Sequence, residues 1–118
     1  MRAVSIRMPR VTAANATPFN LKIGTMDPDS AISFRFNASA YTIAGDHKTW
    51  VGSSSWHRVG TTAPVVTPGG VAPATQATVG AAAWTITAAA SGNDVVLTVT
   101  LAAGVRLDIR IDPVYGVG

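Results

Sequence analysis

The chain has 118 residues, enough for one domain that buries roughly two-thirds of its unfolded surface. It contains no cysteine, which excludes a disulfide scaffold, a thiolate zinc site and a thiol nucleophile. Charged residues make up 13% of the chain, about half the roughly 25% usual in soluble domains, and every acid is an aspartate.

A surface so sparsely charged suits a protein covered by other copies of itself or by a larger assembly. The net charge is +3, but the basic residues are scattered apart from Arg2, Arg7 and Arg10. Nucleic acid is therefore not an expected partner, since neither a Lys/Arg cluster with interleaved aromatics nor a reading helix is present. No run of about 18 apolar residues occurs, so no membrane partner is expected. The opening MRAVSIRMPR lacks the apolar stretch of a signal peptide.

In chain order, Ala3 to Met8 predicts a short strand ended by Pro9, which places it at a sheet edge or on an arm. Residues 1–18 are read as this N-terminal arm or edge strand, with VTAANATP as linker. Arg2, Arg7 and Arg10 are candidates for pairing with a neighbouring subunit's carboxylates. The sandwich domain then spans 19–118. Phe19, Leu21 and Ile23 share one face of a strand, and a turn follows from Gly24 to Ser30. Asp27 and Asp29 in that turn resemble alternate calcium ligands, but no Glu closes a loop, so Asx-turns are the expectation and no metal is assigned.

Ile32 to Ile43 is the longest strand signal, with Ile32, Phe34, Phe36, Ala38 and Ala40 on its dry face. After a turn at 44–47, Lys48 to Arg58 places Trp50, Gly52, Ser54 and Trp56 together. Gly52 and the serines after it predict a bulge or an edge there. Residues 60–75, rich in proline and glycine, predict a long crossover on the outside of the domain.

The last third alternates throughout. Trp84 to Thr87 leads through Ser91-Gly92-Asn93-Asp94 into Val95, Leu97, Val99 and Leu101, and Val105, Leu107, Ile109 and Ile111 close the chain's apolar pattern. The short Ala102-Ala103-Gly104 link predicts a hairpin, hence a three-stranded meander covered by a first sheet of 19–23, 32–43 and 50–56. The fold class expected is all-β: a single antiparallel β-sandwich, jelly-roll-like, with a short N-terminal arm. On the wet face of the closing strand, Arg106, Asp108, Arg110 and Asp112 form a charged row, either self-compensating in solvent or setting register between protomers.

Chemistry is sparse. His47 and His57 are the candidate bases, and Ser53, Ser54 and Ser55 lie near His57, but no G-x-S-x-G elbow occurs and residues adjacent on a strand face opposite ways. No enzymatic activity, cofactor or metal is expected. Tyr41, Trp50 and Trp56 have three readings: core packing, a protein interface or stacking on a glycan.

The succession AISFRFNASAYTI, KTWVGSSSWHRVG and AAAWTITAAASGNDVVLTVTLAAGVRLDIRID resembles a small β-sandwich module of tailed-bacteriophage virion proteins, found at tail-fibre ends and in surface or decoration proteins. The likeness covers about residues 31–112 and is one of pattern, with Val105-Arg106-Leu107 where the module often has an aromatic. It implies a virion structural protein, generally a homotrimer, on the outer surface of the particle, with the major capsid protein or other virion proteins as partners. With about 30 residues between Met1 and the sandwich, the expectation is a capsid decoration (cement) protein. The alternative is a tail-fibre or receptor-binding tip that contacts host glycan or protein.

Overall fold

The computed structural model describes residues 2–7, 11–67 and 74–118. The strands in chain order are β1 (Arg2–Arg7), β2 (Val11–Thr12), β3 (Phe19–Thr25), β4 (Ser30–Tyr41), β5 (His47–Arg58), β6 (Val65–Val66), β7 (Ala74–Ala77), β8 (Thr85–Ser91), β9 (Asp94–Thr100) and β10 (Arg106–Val117). Among the described residues one 3-10 turn, Val79–Ala81, precedes β8. All strand pairings are antiparallel. They form two sheets, so the expected all-β sandwich is the observed fold. The larger sheet has the order β1-β10-β4-β5-β6, with β2 also on β10 and β7 also on β5; the smaller is β3-β9-β8.

The apolar positions of the alternating runs meet between the layers. Phe34, Phe36, Ala38, Ala40, Trp50 and Trp56 from β4 and β5, Val95, Leu97 and Val99 from β9, and Leu107, Ile109 and Ile111 from β10 belong to one buried cluster. Packing two such faces together removes each row from water while the backbones satisfy one another within their sheets. Val96 is also buried, although its parity places it on the outer side of β9, between Lys22 of β3 and Ala89 of β8 in register.

Strand membership differs from the sequence expectation in two linked ways. β9 and β10 are not hairpin partners: β9 lies between β3 and β8, whereas β10 lies between β1 and β4. Their connection crosses from one layer to the other. The Val105 amide bonds the Ala102 carbonyl at 3.2 Å, and Gly104, at φ 79°, donates its amide to the Ala13 carbonyl at 2.8 Å. The Ala13 amide returns a bond to Val105 at 2.9 Å. The stretch read as linker therefore anchors this crossing, with Ala13 buried and Val11–Thr12 paired to β10. Alternation could not separate the two arrangements, because a dry face is equally dry beside its neighbour or opposite it.

The second difference follows. β3, expected in the sheet of β4 and β5, is the partner of β9, and β10 takes the place beside β4. β10 also runs beyond Asp112 to Val117, across a register break between Ile111 and Val114 that restores Val114 to the core. β5 pairs with β4 over its whole length without a bulge at Gly52. Residues 60–75 are not only a loop: Val65–Val66 and Ala74–Ala77 add two short strands to the outer edge of β5. The remainder of that expected crossover, 68–73, lies outside the described residues.

Leu107, near the start of β10, is 2% exposed. Leu107→Ala is expected to cost about 2–5 kcal/mol in urea unfolding. Leu107→Asp, which buries a carboxylate in an apolar layer, is expected to leave no cooperative transition in far-UV circular dichroism.

Candidate functional site

Two side chains that sequence reading passed over do the most specific polar work in the structure. Lys48 and Arg58 stand at opposite ends of β5, buried at 7% and 8% exposure. The Lys48 ammonium donates to the Ala82 carbonyl at 3.0 Å and the Trp84 carbonyl at 2.7 Å, and lies 5.5 Å from the Trp50 ring centroid. It fastens the large sheet to the segment that leads into β8 of the small one. Arg58 donates through Nη1 to the Met26 carbonyl at 2.6 Å, and through Nε and Nη2 to the Thr62 and Thr61 carbonyls at 2.8 and 3.3 Å. The Met26 amide in turn bonds the Asn93 carbonyl at 2.8 Å, which links the β3–β4 and β8–β9 turns. Buried cations at carbonyl clusters satisfy charge and backbone together. The signal was available: in KTWVGSSSWHR, Lys48 and Arg58 have the parity of Trp50 and Trp56 and so face the same interior.

The same parity corrects the proposed aromatic contacts. Trp50 and Trp56 are 2% and 7% exposed, so both indoles are core groups and neither presents a face to a partner or glycan. Ser54, inside with them, accepts the Trp56 indole N–H at 3.0 Å. Tyr41 alone of the three is on the surface, at 39% exposure.

Tyr41 belongs to the outer face of the large sheet, the broadest polar surface built by adjacent long strands. In register across β10, β4 and β5, Arg106, Tyr41 and His47 form one row, Asp108, Ser39 and Thr49 the next, and Arg110, Asn37 and Val51 a third. Farther along, Tyr115, Ser33 and Ser55 are level and, with Ala31, Ile32 and Val117, line a shallow groove of about 250 Å³. The Arg106 guanidinium lies 5.9 Å from the Tyr41 ring centroid. The Arg110 guanidinium bonds Asp112 at 3.1 Å, with both side chains well exposed, a geometry that contributes little to folding. The charged row is thus partly compensated within its own strand. Arg2 and Arg7 pair through the backbone with Gly116 and Arg110 at the edge of this sheet; Arg10 lies outside the described residues.

The histidines serve hydrogen bonding between segments. His57 Nδ1 is 2.9 Å from the Thr67 hydroxyl, which holds the segment after β6 against β5. His47 Nε2 is 3.2 Å from the Ser39 hydroxyl, a diagonal cross-strand pair that the sequence did not suggest. A nucleophilic serine needs its base oriented by a third group, and among the described residues no carboxylate bonds either histidine. Nor do the described residues include a group of three or more His, Asp or Glu able to hold a metal. The Asp29 carboxylate, at a residue with φ 56°, accepts the Gly60 amide at 2.7 Å, and Ser30 donates to the Asp27 carbonyl at 2.7 Å. Asp29 therefore bridges two turns instead of closing an Asx-turn on its own.

Compared with known proteins, the chain matches no family model and no curated sequence.

Replacing Lys48 by Met keeps the stem but leaves the Ala82 and Trp84 carbonyls without their buried donor. We expect a loss of about 1–3 kcal/mol in urea unfolding, with restored stability in Lys48→Arg only if its longer fork reaches both oxygens.

Proposed function

We propose that the protein is a structural component of a bacteriophage virion: a capsid decoration protein that binds the outside of the head as a homotrimer and stabilises it. The reading rests on the pattern-level likeness of residues 31–112 to virion β-sandwich modules and on the character of the surface. The observation that carries it furthest is the outer face of the large sheet, where β10, β4 and β5 offer a continuous field of short hydroxyl and amide side chains, with Tyr41 and the arginines Arg35, Arg106 and Arg110 among them. Such a face is built for contact with another protein surface. It has the hydrogen-bonding groups of an interface rim, an aromatic anchor, and arginine, whose planar fork matches carboxylates, in place of the strongly hydrated lysine. Contacts made by the sandwich would then hold adjacent capsid subunits together without any chemical step.

Under this reading the arginines of β10 carry a share of the contact with acidic capsid surface. Light scattering of the purified protein is expected to give a multiple of three copies per particle, three where the β8 edges are unpaired and six where they join. Addition to heads lacking it is expected to saturate and to raise their resistance to heat. Arg106→Glu with Arg110→Glu is expected to weaken head binding by roughly tenfold or more, the effect falling as salt rises. A monomer that leaves such heads unbound would overturn the proposal.

A further inference from the structure

We propose that β8 is a pairing edge through which two copies of this chain join their small sheets about a two-fold axis. Unpaired strand edges offer rows of backbone N–H and C=O groups to any passing strand, and proteins blunt them with bulges, charges, proline or short covering strands. The edges of the two sheets differ in this protection. At one edge of the large sheet, β1 begins and ends on arginine and breaks register between Val4 and Ile6, and β2 has only two residues. At the other edge, β5 is covered by β6 and β7, two and four residues long. In the small sheet, β3 carries the exposed Lys22 and breaks register between Lys22 and Gly24. β8 has none of these devices. Its sequence TITAAAS lacks charge, proline and glycine, and it runs in unbroken register with β9 from Thr85 to Ser91. Among the described residues β9 is its one strand partner, and no loop backbone bonds its free side.

The occupant follows from register and parity. The two-residue turn Gly92-Asn93, with Gly92 at φ 59° in the position a type II′ turn reserves for glycine, makes Ser91 and Asp94 an exchanging pair. The odd-numbered residues of β8 therefore spend their backbone groups on β9, and Ile86, Ala88 and Ala90 direct theirs to the open edge. A second β8 laid antiparallel about Ala88 sets Ile86 against Ala90, Ala88 against its own copy and Ala90 against Ile86, each an exchanging pair. Parity is preserved, so the buried Ile86 side stays continuous with both cores and Thr85 and Thr87 stay outside. The large Ile86 faces the small Ala90, and an uncharged edge meets itself without repulsion. A foreign strand would need side-chain pockets for its specificity. The short Thr, Ala and Ser side chains of β8 build no such walls, which favours a second copy as the occupant.

The test uses the full chain, which has no native cysteine to confuse it. Ala88→Cys under mild oxidation is expected to form a disulfide-linked dimer, because the axis sets residue 88 against itself at a separation a disulfide can span. Val79→Cys, at a 96% exposed site away from the edge, is the control and should stay unlinked. Thr87→Lys with Ala89→Lys places lysine opposite lysine across the axis while both side chains lie on the outer face of the sheet, away from the core. By analytical ultracentrifugation it should shift dissociation to at least about tenfold higher concentration, with the thermal melt confirming that the fold persists. Two results would overturn the proposal: a folded lysine variant that associates like the parent, or an Ala88→Cys variant that links no better than Val79→Cys. The β8 pairing is independent of the virion reading. If the Ala88→Cys variant stays unlinked in a trimer that binds heads, this proposal alone is removed. If it forms linked dimers that leave heads unbound, only the other is.

Discussion

The structure depends on a crossing. Between Leu101 and Val105 the chain leaves one sheet and enters the other, so that β9 and β10 feed one core from different layers instead of lying side by side. Leu101, Val105, and the apolar rows of both strands are almost wholly removed from water, and each strand is interior to its own sheet, with a neighbour on either side. Central strands have both backbone edges satisfied and one side-chain face fully dry, which makes them the most costly to displace. Around this pair the other strands take the remaining edges: β3 and β8 beside β9, β4 and β1 beside β10. The small bonds at Ala13 and Gly104 matter because they decide the direction of the turn on which this arrangement rests.

A two-layer sandwich also needs its ends closed, and here two buried cations do it. Lys48 and Arg58 sit at the ends of one strand and gather carbonyls from turns that belong to different parts of the chain. Each ties β5 to a segment adjoining the small sheet, so the relative placement of the layers is held at both ends as well as by the core. In a chain with so few charges, placing two of them inside is a use of cations for architecture. The surface that remains is correspondingly quiet: hydroxyls on the outer face of the large sheet, threonine on the outer face of the small one. Thr98 donates to the Asn20 side chain there, and Thr25 to Asp94. Proteins that act through broad contact and not through a cleft have this character, and both the proposed head-binding face and the proposed β8 pairing are contacts of that kind.

Much of the candidate site was legible and part of it was misread, for a common reason. Period-two alternation assigned the faces of β4, β9 and β10 correctly, and the buried rows stand as expected. The same rule applied to KTWVGSSSWHR would have put Lys48 and Arg58 inside. For the indoles, side-chain type left core packing, a protein interface and glycan stacking all open, while parity, the more physical signal, already placed them in the core with the two cations. The Ser39–His47 contact could not be read at all, since it depends on the register between two strands joined by a turn whose geometry the residues at 42–46 leave open.

The amino-acid sequence by itself determined the class of the fold, the identity of its buried faces and the absence of any need for cross-links, because these follow from residue hydrophobicity repeated at a fixed period. Tertiary structure decided which strands are neighbours: the hairpin read at 102–104 became a crossing, β3 changed sheets, and two stretches read as linker or loop became edge strands. The physical reason is that alternation specifies which side of a strand must be dry but carries no information on what provides the dryness. A neighbouring layer and a neighbouring strand satisfy it equally, and the choice is made by hydrogen bonds between residues as distant in the chain as Ala13 and Val105.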